Sequence, residues 1–375
     1  MIIKTKDFQE AANTILLAAD LDKTAANLEL LAKNSSLYLN VTNREYYVSV
    51  KFALEQDENF RAVIEAPLFL SLISGITAET FSLDVQDRLV LLKAGKSSYK
   101  LPMIYENDSL MALPIIKLAN KTVEMPISND ILKSILNVNS KELLKVKNLD
   151  VNELQKLYYI DETGCFTFTT GACLNSFTLE KPVKLLLNER IVKLFKLFKD
   201  DVQFSFGYDS LADGSVQSKA IFETSNIYVA ALITNDDTLI NKVQGPCNAT
   251  KTFIKEKYSN SLVLSATALS NAISRLILFT KNSINNANMH YLPVTATITA
   301  DDLTLSDNRG NSEVIEIENG SFVDGSYEMI VNLADLKLVL DSCKNEHITL
   351  NCGNHRSIVI SRGNINNLIP EGRKN

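Results

Sequence analysis

A structural unit that repeats three times constrains the fold of this 375-residue chain more than any single motif does. Six short segments place apolar residues at helical spacing, and they begin at Asp7, Pro67, Ser128, Asn188, Ser265 and Asn332. The first two pairs have the same separation of 60 residues (7 to 67 and 128 to 188), and the last pair is 67 residues apart. Such regular spacing indicates one supersecondary unit for each pair of helices.

The segments between the helices predict antiparallel sheet. Their apolar period changes from 3.6 to 2, which is typical of strands with one buried face. The second helix of each pair follows an apolar run and precedes such a strand. The sequence therefore predicts an α+β fold of three repeated domains, each with two helices packed against antiparallel sheets. The predicted domains are residues 1–120, 121–245 and 246–375, with linkers near Leu113–Lys121 and Asn241–Ala249, where Gly245-Pro246 interrupts the chain.

Composition excludes several classes of protein. Hydrophobic residues make up 46% of the chain, which is too high a share for a disordered protein. No run reaches the ~18 consecutive apolar residues of a membrane helix, and the first residues lack the apolar core of a signal peptide. We therefore expect a cytoplasmic protein with no membrane partner. The five cysteines form no C-x-x-C pair and are expected to be buried thiols.

The sequence lacks the residue patterns of catalytic sites. His290, His347 and His355 each lack a second ligand at metal-binding spacing. No H-E-x-x-H, G-x-S-x-G, P-loop or G-x-G-x-x-G motif occurs. We therefore expect no enzymatic activity, no cofactor and no bound metal.

The net charge of −6 argues against nucleic acid as a partner. The basic residues are nevertheless organised on the predicted helices. Arg190, Lys193 and Lys196 recur every three residues on the fourth helix, opposite Ile191 and Leu194. Taken alone, this pattern is typical of a solvated helix face. Cations on other helices are Lys133, Arg275 and Lys337.

Five short motifs occur in order along the repeat, and their residues are Gly95–Leu101, Tyr158-Tyr159, Thr169–Leu174, Ser274–Phe279 and Leu368–Arg373. With these motifs, the threefold repeat resembles the bacterial sliding clamp, the β subunit of the replicative DNA polymerase III, over essentially the whole chain. Ala172-Cys173 replaces the His-Arg of the family's second-domain loop, and the terminal strand carries one extra residue before its Arg. Both departures lie where the family binds partner peptides.

The resemblance implies a homodimeric ring, closed head to tail, that encircles duplex DNA independently of sequence. Such a ring tethers the polymerase as a processivity factor in DNA replication. Twelve inner helices of ~10 Å diameter would enclose an opening of roughly 28 Å, which is wide enough for a duplex. Because a closed ring holds DNA by topology, its inner cations need to supply only a weak attraction. DNA polymerase and clamp loader are the implied partners, and they would dock through short apolar peptide motifs.

The resemblance also assigns site residues. DNA contacts are expected from Lys96, Lys133, Lys156, Tyr158, Tyr159, Arg190, Lys193, Lys196, Arg275 and Lys337. The walls of the partner-peptide cleft are expected at Thr169, Gly171, Leu174, Leu368, Ile369, Pro370 and Arg373. The dimer interface is expected at Leu278 and Phe279. Two alternatives stay open: the tyrosines as paired aromatics of a sheet, and the two interface residues as simple core.

A second interpretation of the whole chain is a divergent clamp-fold scaffold or regulatory binding protein that no longer encircles DNA. The altered Ala172-Cys173 loop allows it. Retained dimerisation in solution would favour the ring.

Overall fold

The computed structural model describes residues 1–21, 27–136, 157–168, 171–211, 214–233, 237–281, 291–322, 325–341, 343, 345–354 and 356–372. Seven α-helices lie in these ranges: α1 (Thr5–Asp20), α2 (Ala66–Ser74), α3 (Asn129–Leu136), α4 (Glu189–Leu194), α5 (Asp237–Lys255), α6 (Ala266–Lys281) and α7 (Leu333–Asp341). A 3-10 turn, Phe195–Leu197, follows α4 directly. No helix in the described part of the chain combines the length and the apolarity needed to cross a bilayer.

Six of the seven helices begin within two residues of a predicted start, which confirms those six predictions. Local chemistry explains the agreement. Pro67 occupies the first turn of α2, where its missing N–H costs no hydrogen bond. The Ser128 side chain accepts a hydrogen bond from the Ile131 N–H at the start of α3. Before α7, the Asn332 side chain accepts from the Ala334 N–H.

The strands form antiparallel pairs throughout the described chain. They are β1 (Ile2–Lys4), β2 (Asn27–Lys33), β3 (Ser36–Thr42), β4 (Tyr46–Ala53), β5 (Phe60–Glu65), β6 (Thr80–Gln86), β7 (Leu89–Ala94), β8 (Ser97–Pro102), β9 (Tyr105–Glu106), β10 (Ser109–Leu110), β11 (Lys121–Ile127), β12 (Leu157–Asp161), β13 (Gly164–Phe168), β14 (Ala172–Ser176), β15 (Leu185–Asn188), β16 (Val202–Ser210), β17 (Val216–Glu223), β18 (Ile227–Ile233), β19 (Asn260–Ser265), β20 (Pro293–Ile298), β21 (Asp302–Ser306), β22 (Ser312–Glu316), β23 (Asn319–Ser321), β24 (Tyr327–Asn332), β25 (His347–Asn354), β26 (Ser357–Arg362) and β27 (Ile365–Pro370). Helices and antiparallel sheets together confirm the predicted α+β class.

The chain divides into two compact units, and the first comprises Met1–Lys133 and Arg190–Thr234. Its eight-stranded sheet has the order β11-β16-β17-β18-β4-β3-β2-β5, and its four-stranded sheet has the order β1-β6-β7-β8. Helix α1 buries Phe8, whose ring packs edge-on against those of Phe69 and Phe81. The pairing of β18 with β4 joins strands of the first two predicted domains in one sheet.

The second unit comprises Ser134–Glu189 and Asn235–Asn375. Its nine-stranded sheet has the order β15-β12-β13-β14-β27-β26-β25-β19-β23, and its four-stranded sheet has the order β22-β21-β20-β24. Helices α6 and α7 bury their apolar sides in one core cluster with residues of both sheets. The pairing of β14 with β27 joins strands of the second and third predicted domains.

The two predicted linkers have different outcomes. Residues 111–120 contain no helix or strand, as the first linker requires. The second linker is wrong, because Asn241–Ala249 lies inside the 19-residue helix α5, with Pro246 in the helix interior. The boundary between residues 245 and 246 therefore falls within α5, and the division into three domains stays a prediction. All five cysteines are buried free thiols, as expected.

Candidate DNA-facing and partner-binding surfaces

The basic side of α4 faces solvent. Ile191 is buried, whereas the Arg190 side chain is 49% exposed and Lys196, on the 3-10 turn, is also exposed. Lys193 is half-buried. The Arg190 guanidinium lies 3.3 Å from a carboxylate oxygen of Glu45, an exposed ion pair that neutralises part of its charge. The helix is therefore amphipathic as predicted, with Arg190 and Lys196 exposed on the side opposite Ile191.

An open groove of about 530 Å³ lies between α1 and the 3-10 turn. Its polar lining includes Lys6, Gln9, Glu10, Asn13, Lys196 and Lys199. Glu10 pairs with Lys199, and their hydrogen bond lowers the pKa of the carboxyl and raises the pKa of the lysine. Within the described part of the chain, Lys6 and Lys196 form no ion pair. The Gln9 amide donates to the backbone carbonyls of Ile73 and Ile76, so the groove attracts phosphate through its excess of lysines.

Two other predicted DNA-binding cations are exposed. Lys96 lies in the turn between β7 and β8. The Lys133 side chain is 62% exposed, and its ammonium nitrogen lies 3.9 Å from Asp130 one turn earlier on α3. Exposed pairs at this distance contribute little stability, so the Lys133 charge remains available.

The cations of α6 and α7 are already engaged. Arg275 donates two hydrogen bonds, of 2.8 and 2.6 Å, to the two carboxylate oxygens of Glu313 on β22. These bonds lower the pKa of Glu313. The half-buried Lys337 donates a 2.6 Å hydrogen bond to the Ser274 hydroxyl. The Glu313 carboxylate occupies two of the guanidinium's five N–H donors and offsets its charge, so Arg275 offers less charge to DNA than the sequence alone indicates.

The structure corrects the assignment of the two tyrosines. Tyr158 and Tyr159 are 0% and 2% exposed in β12, where DNA cannot reach either ring. Burial raises the pKa of both hydroxyls. The alternative of paired sheet aromatics accounts for them, because neighbouring strand residues point to opposite faces and both faces of this sheet are covered. Lys156, assigned beside them, lies outside the described residues.

The two predicted walls of the peptide cleft are neighbouring strands. Ala172 pairs with Leu368 in the β14–β27 ladder. Gly171, just before β14, approaches the Leu368 carbonyl so closely that a Cβ at this position would overlap the oxygen. The residues brought together are Gly171, Leu174, Leu368, Ile369 and Pro370. Thr169 and Arg373 lie outside the described residues.

Only part of this set can touch a partner. Leu174 and Ile369 are buried, the first in the apolar cluster over β12–β15 and the second in the core around α6 and α7. Leu368 is half-buried against the same cluster as Leu174, and Pro370 is exposed. The alternation of side chains along a strand explains the split, because residues 368 and 369 face opposite sides of the sheet.

Helix α5 lies on the face that carries Leu174 and Leu368. Its Ile240, Val243 and Cys247 pack into the cluster of β12–β15 residues, and it contacts β14 and β27. The sequence contains the signal for this helix in the spacing of its inward residues, which are Ile240, Val243, Cys247, Thr250 and Ile254. The local sequence predicts a linker here instead of a helix, because the Gly245-Pro246 dipeptide is typical of a linker.

One buried ion pair fixes α5 to the sheet. The Lys251 ammonium lies 2.6 Å from an Asp161 carboxylate oxygen, and the Asp161 side chain is 12% exposed. Burial favours the neutral acid, but hydrogen bonds from Lys251 and Thr163 outweigh burial and hold the pKa of Asp161 below its ordinary value. The carboxylate therefore stays charged and paired near neutral pH.

The predicted dimer residues are on the surface of α6. Leu278 and Phe279 are 64% and 50% exposed, which rules out the alternative that they are core. Two further exposed apolar side chains, Tyr99 on β8 and Val314 on β22, lie on edge strands of the four-stranded sheets. A cavity of about 290 Å³ lies between the C-terminal end of α2 and β8, with Leu72 and Tyr99 in its lining. Exposed apolar side chains of this kind are typical of surfaces that associate.

Comparison with solved structures identifies the fold. The chain is similar to the DNA polymerase III β chain of Streptococcus pneumoniae TIGR4, with 14% identity and a TM-score of 0.75. It is also similar to the Helicobacter pylori β clamp bound to a DNA ligase peptide (15%, TM-score 0.71) and to the Pseudomonas aeruginosa sliding clamp bound to griselimycin (13%, TM-score 0.75). Each match covers 100% of this chain and 99% of the other.

The chain therefore has the sliding-clamp fold of bacterial DNA polymerase III β subunits, along its whole length. No protein-family model and no curated protein matches its sequence.

Proposed function

We propose that this protein is a DNA sliding clamp, a homodimeric ring that encircles duplex DNA and tethers the replicative polymerase as a processivity factor. The observation that carries the proposal is the sliding-clamp fold over 100% of the chain. The protein acts in the cytoplasm, where bacterial DNA lies, and performs no chemistry of its own.

The proposed DNA-facing surface consists mainly of cations on the paired helices of three domains, 1–120, 121–245 and 246–375. The α4 cations and the groove with Lys6, Lys196 and Lys199 support it most strongly. Lys96, Lys133 and, in the undescribed segment, Lys156 add positive charge. Because the closed ring retains the DNA, a few exposed lysines that displace counterions from the phosphates supply enough attraction. Tight binding would slow the sliding of the ring.

The proposed dimer contact repeats a type of strand pairing that already joins the domains within the chain. Within the chain, β18–β4 and β14–β27 each join strands of successive predicted domains by antiparallel pairing. A third junction of this kind would pair β8 of one copy with β22 of a second, since each is the edge of a four-stranded sheet. Leu278 and Phe279 would then fill the hollow beside α2 in the other copy. Two such head-to-tail contacts close a ring.

The proposed partners are the DNA polymerase and the clamp loader, which dock through short apolar peptides. A DNA ligase peptide is bound to the Helicobacter pylori clamp, and griselimycin to the Pseudomonas aeruginosa clamp. For this chain we assign the docking surface to the β14–β27 junction, with Gly171, Leu174, Leu368 and Pro370 on the described strands. Thr169 and Arg373 complete the proposed set.

Primer extension on a long single-primed circle tests the proposal. The reaction contains the replicative polymerase and clamp loader of the same cell, with and without this protein. We expect products several times longer when the protein is present, because each binding event of the polymerase then copies more template. Unchanged product length at saturating protein would contradict the proposed function.

A second candidate is a clamp-fold scaffold that does not encircle DNA. The pairing of Arg275 with Glu313 favours it, because it removes one inner cation from DNA contact. A scaffold of this kind would give no longer products in the same assay.

A further inference from the structure

The apolar surface beside the β14–β27 junction already has an occupant from the same chain. Tyr159, Phe166, Leu174 and Leu186, one from each of β12–β15, form its floor. The inward stripe of α5 covers them, and Leu368 of β27 packs at the border. A partner peptide directed to Leu174 and Leu368 therefore meets a helix that lies over these residues.

Helix α5 is intrinsically weak. Gly245 lies in its interior with open space around the position of a Cβ, so no close contact requires a glycine. Glycine disfavours the helical state because its backbone loses more conformational freedom, and Pro246 removes an N–H donor from the helical ladder. An isolated helix of 19 residues with both features is unstable in water. The helical form of α5 therefore depends on its contact with the sheet.

The ion pair that holds α5 to the sheet can break without leaving a buried charge unpaired. Lys251 is the cation of the pair with Asp161, and the Thr163 hydroxyl and N–H also donate hydrogen bonds to that carboxylate, at 2.7 and 2.9 Å. If α5 leaves, Asp161 keeps both Thr163 donors and gains water, while Lys251 moves into solvent. The desolvation cost that makes most buried ion pairs hard to break is therefore small here.

We propose that α5 is a displaceable cover, and that apolar partner peptides bind this chain by replacing α5 on the floor formed by Tyr159, Phe166, Leu174 and Leu186. The proposal rests on the assignment of peptide docking to the β14–β27 junction. It predicts that affinity is set by two quantities, the intrinsic fit of the peptide and the fraction of molecules in which α5 is undocked.

Thiol labelling of the full-length protein, with and without griselimycin as the bound probe, measures directly whether α5 leaves the sheet. Cys247 lies on the buried stripe of α5, where burial raises its pKa to about 11, and Cys343 and Cys352 lie in the separate core around α6 and α7. Mass spectrometry then locates the label after reaction with iodoacetamide. We expect saturating griselimycin to accelerate the labelling of Cys247 at least tenfold and to leave Cys343 and Cys352 unchanged. Unchanged or slower labelling of Cys247 would overturn the proposal, because α5 would then be a wall of the site.

Matched variants test the same point through affinity, measured by calorimetry. Lys251→Ala removes the ion pair and should tighten griselimycin binding about two- to fivefold, because α5 undocks more often. Lys255→Ala, which deletes an exposed charge from the same helix, should leave affinity unchanged. Gly245→Ala, which favours the helix, should weaken binding about two- to fivefold. Weaker binding by Lys251→Ala would show that α5 contributes to the site, and the proposal would fail.

Failure of this proposal is distinguishable from failure of the proposed function. A protein that lengthens primer-extension products, yet binds griselimycin with Cys247 protected, is a clamp without a displaceable cover. Absence of griselimycin binding in the wild type and in Lys251→Ala would also overturn the proposal, and the primer-extension result would decide the function independently.

Discussion

Gly171 is the residue on which the β14–β27 junction depends most closely. A Cβ at this position would overlap the carbonyl oxygen of Leu368 and crowd the backbone of Ile369. Backbone atoms cannot move aside as a flexible side chain can, so a larger residue forces the two strands apart. The glycine that the sequence suggested as a cleft wall therefore also has a structural role.

Gly171→Ala should lower the free energy of unfolding by about 1–3 kcal/mol, because the added methyl group meets backbone on the opposite strand. Urea denaturation measures the change. Gly245→Ala is the control, since open space surrounds that position and alanine favours a helix. A Gly171→Ala midpoint equal to that of the wild type would contradict the close approach.

The sequence placed the cleft residues near one another but did not give their exposure. Gly171, Leu174 and Leu368 do lie together, because strand pairing brings the two motifs side by side. Exposure depends on which sheet face is covered, and that follows from elements distant in sequence. For this reason Ile369 is core, and substituting it would test stability more than peptide docking.

Helix starts were predictable at the scale of single elements because local chemistry fixes them. A proline in the first turn of α2 and polar caps before α3 and α7 coincide with the onset of apolar periodicity. Helix α5 was missed for the opposite reason, since Gly245-Pro246 disfavours a helix locally. Packing against the sheet overrides that preference, and no local pattern reports such packing.

The groove beside α4 gives a prediction for DNA affinity. Lys196→Ala should reduce the slope of log affinity against log salt for a short linear duplex by about 0.9, the value for one lost phosphate contact. Fluorescence anisotropy across a salt series measures the slope. Lys255→Ala, an exposed lysine on α5, serves as the control. Equal slopes for both variants would place the DNA-facing surface elsewhere.

At the scale of the whole molecule, the threefold repeat was the most informative feature of the sequence. It predicted the α+β architecture and six helices, but it did not predict that strands of different repeats share one sheet. Pairing such as β18–β4 joins residues about 180 positions apart, and non-local pairing of this kind leaves no periodic signal in either strand.

Leu278→Asp should convert the protein from dimer to monomer, because a carboxylate cannot be buried in an apolar interface without a partner. Light scattering should give twice the chain mass for the wild type and the chain mass for the variant. Leu211→Asp, at an exposed leucine after β16, should remain dimeric. A dimeric Leu278→Asp protein would show that α6 lies outside the interface.

Retention on DNA of different topology tests the central claim most directly. The protein is loaded by its clamp loader onto a nicked circular plasmid, washed at high salt, and followed before and after a single restriction cut. A ring that encircles DNA stays on the circle through the wash and leaves within minutes of linearisation, because it slides off the ends. Equal release from circular and linear DNA would contradict encirclement.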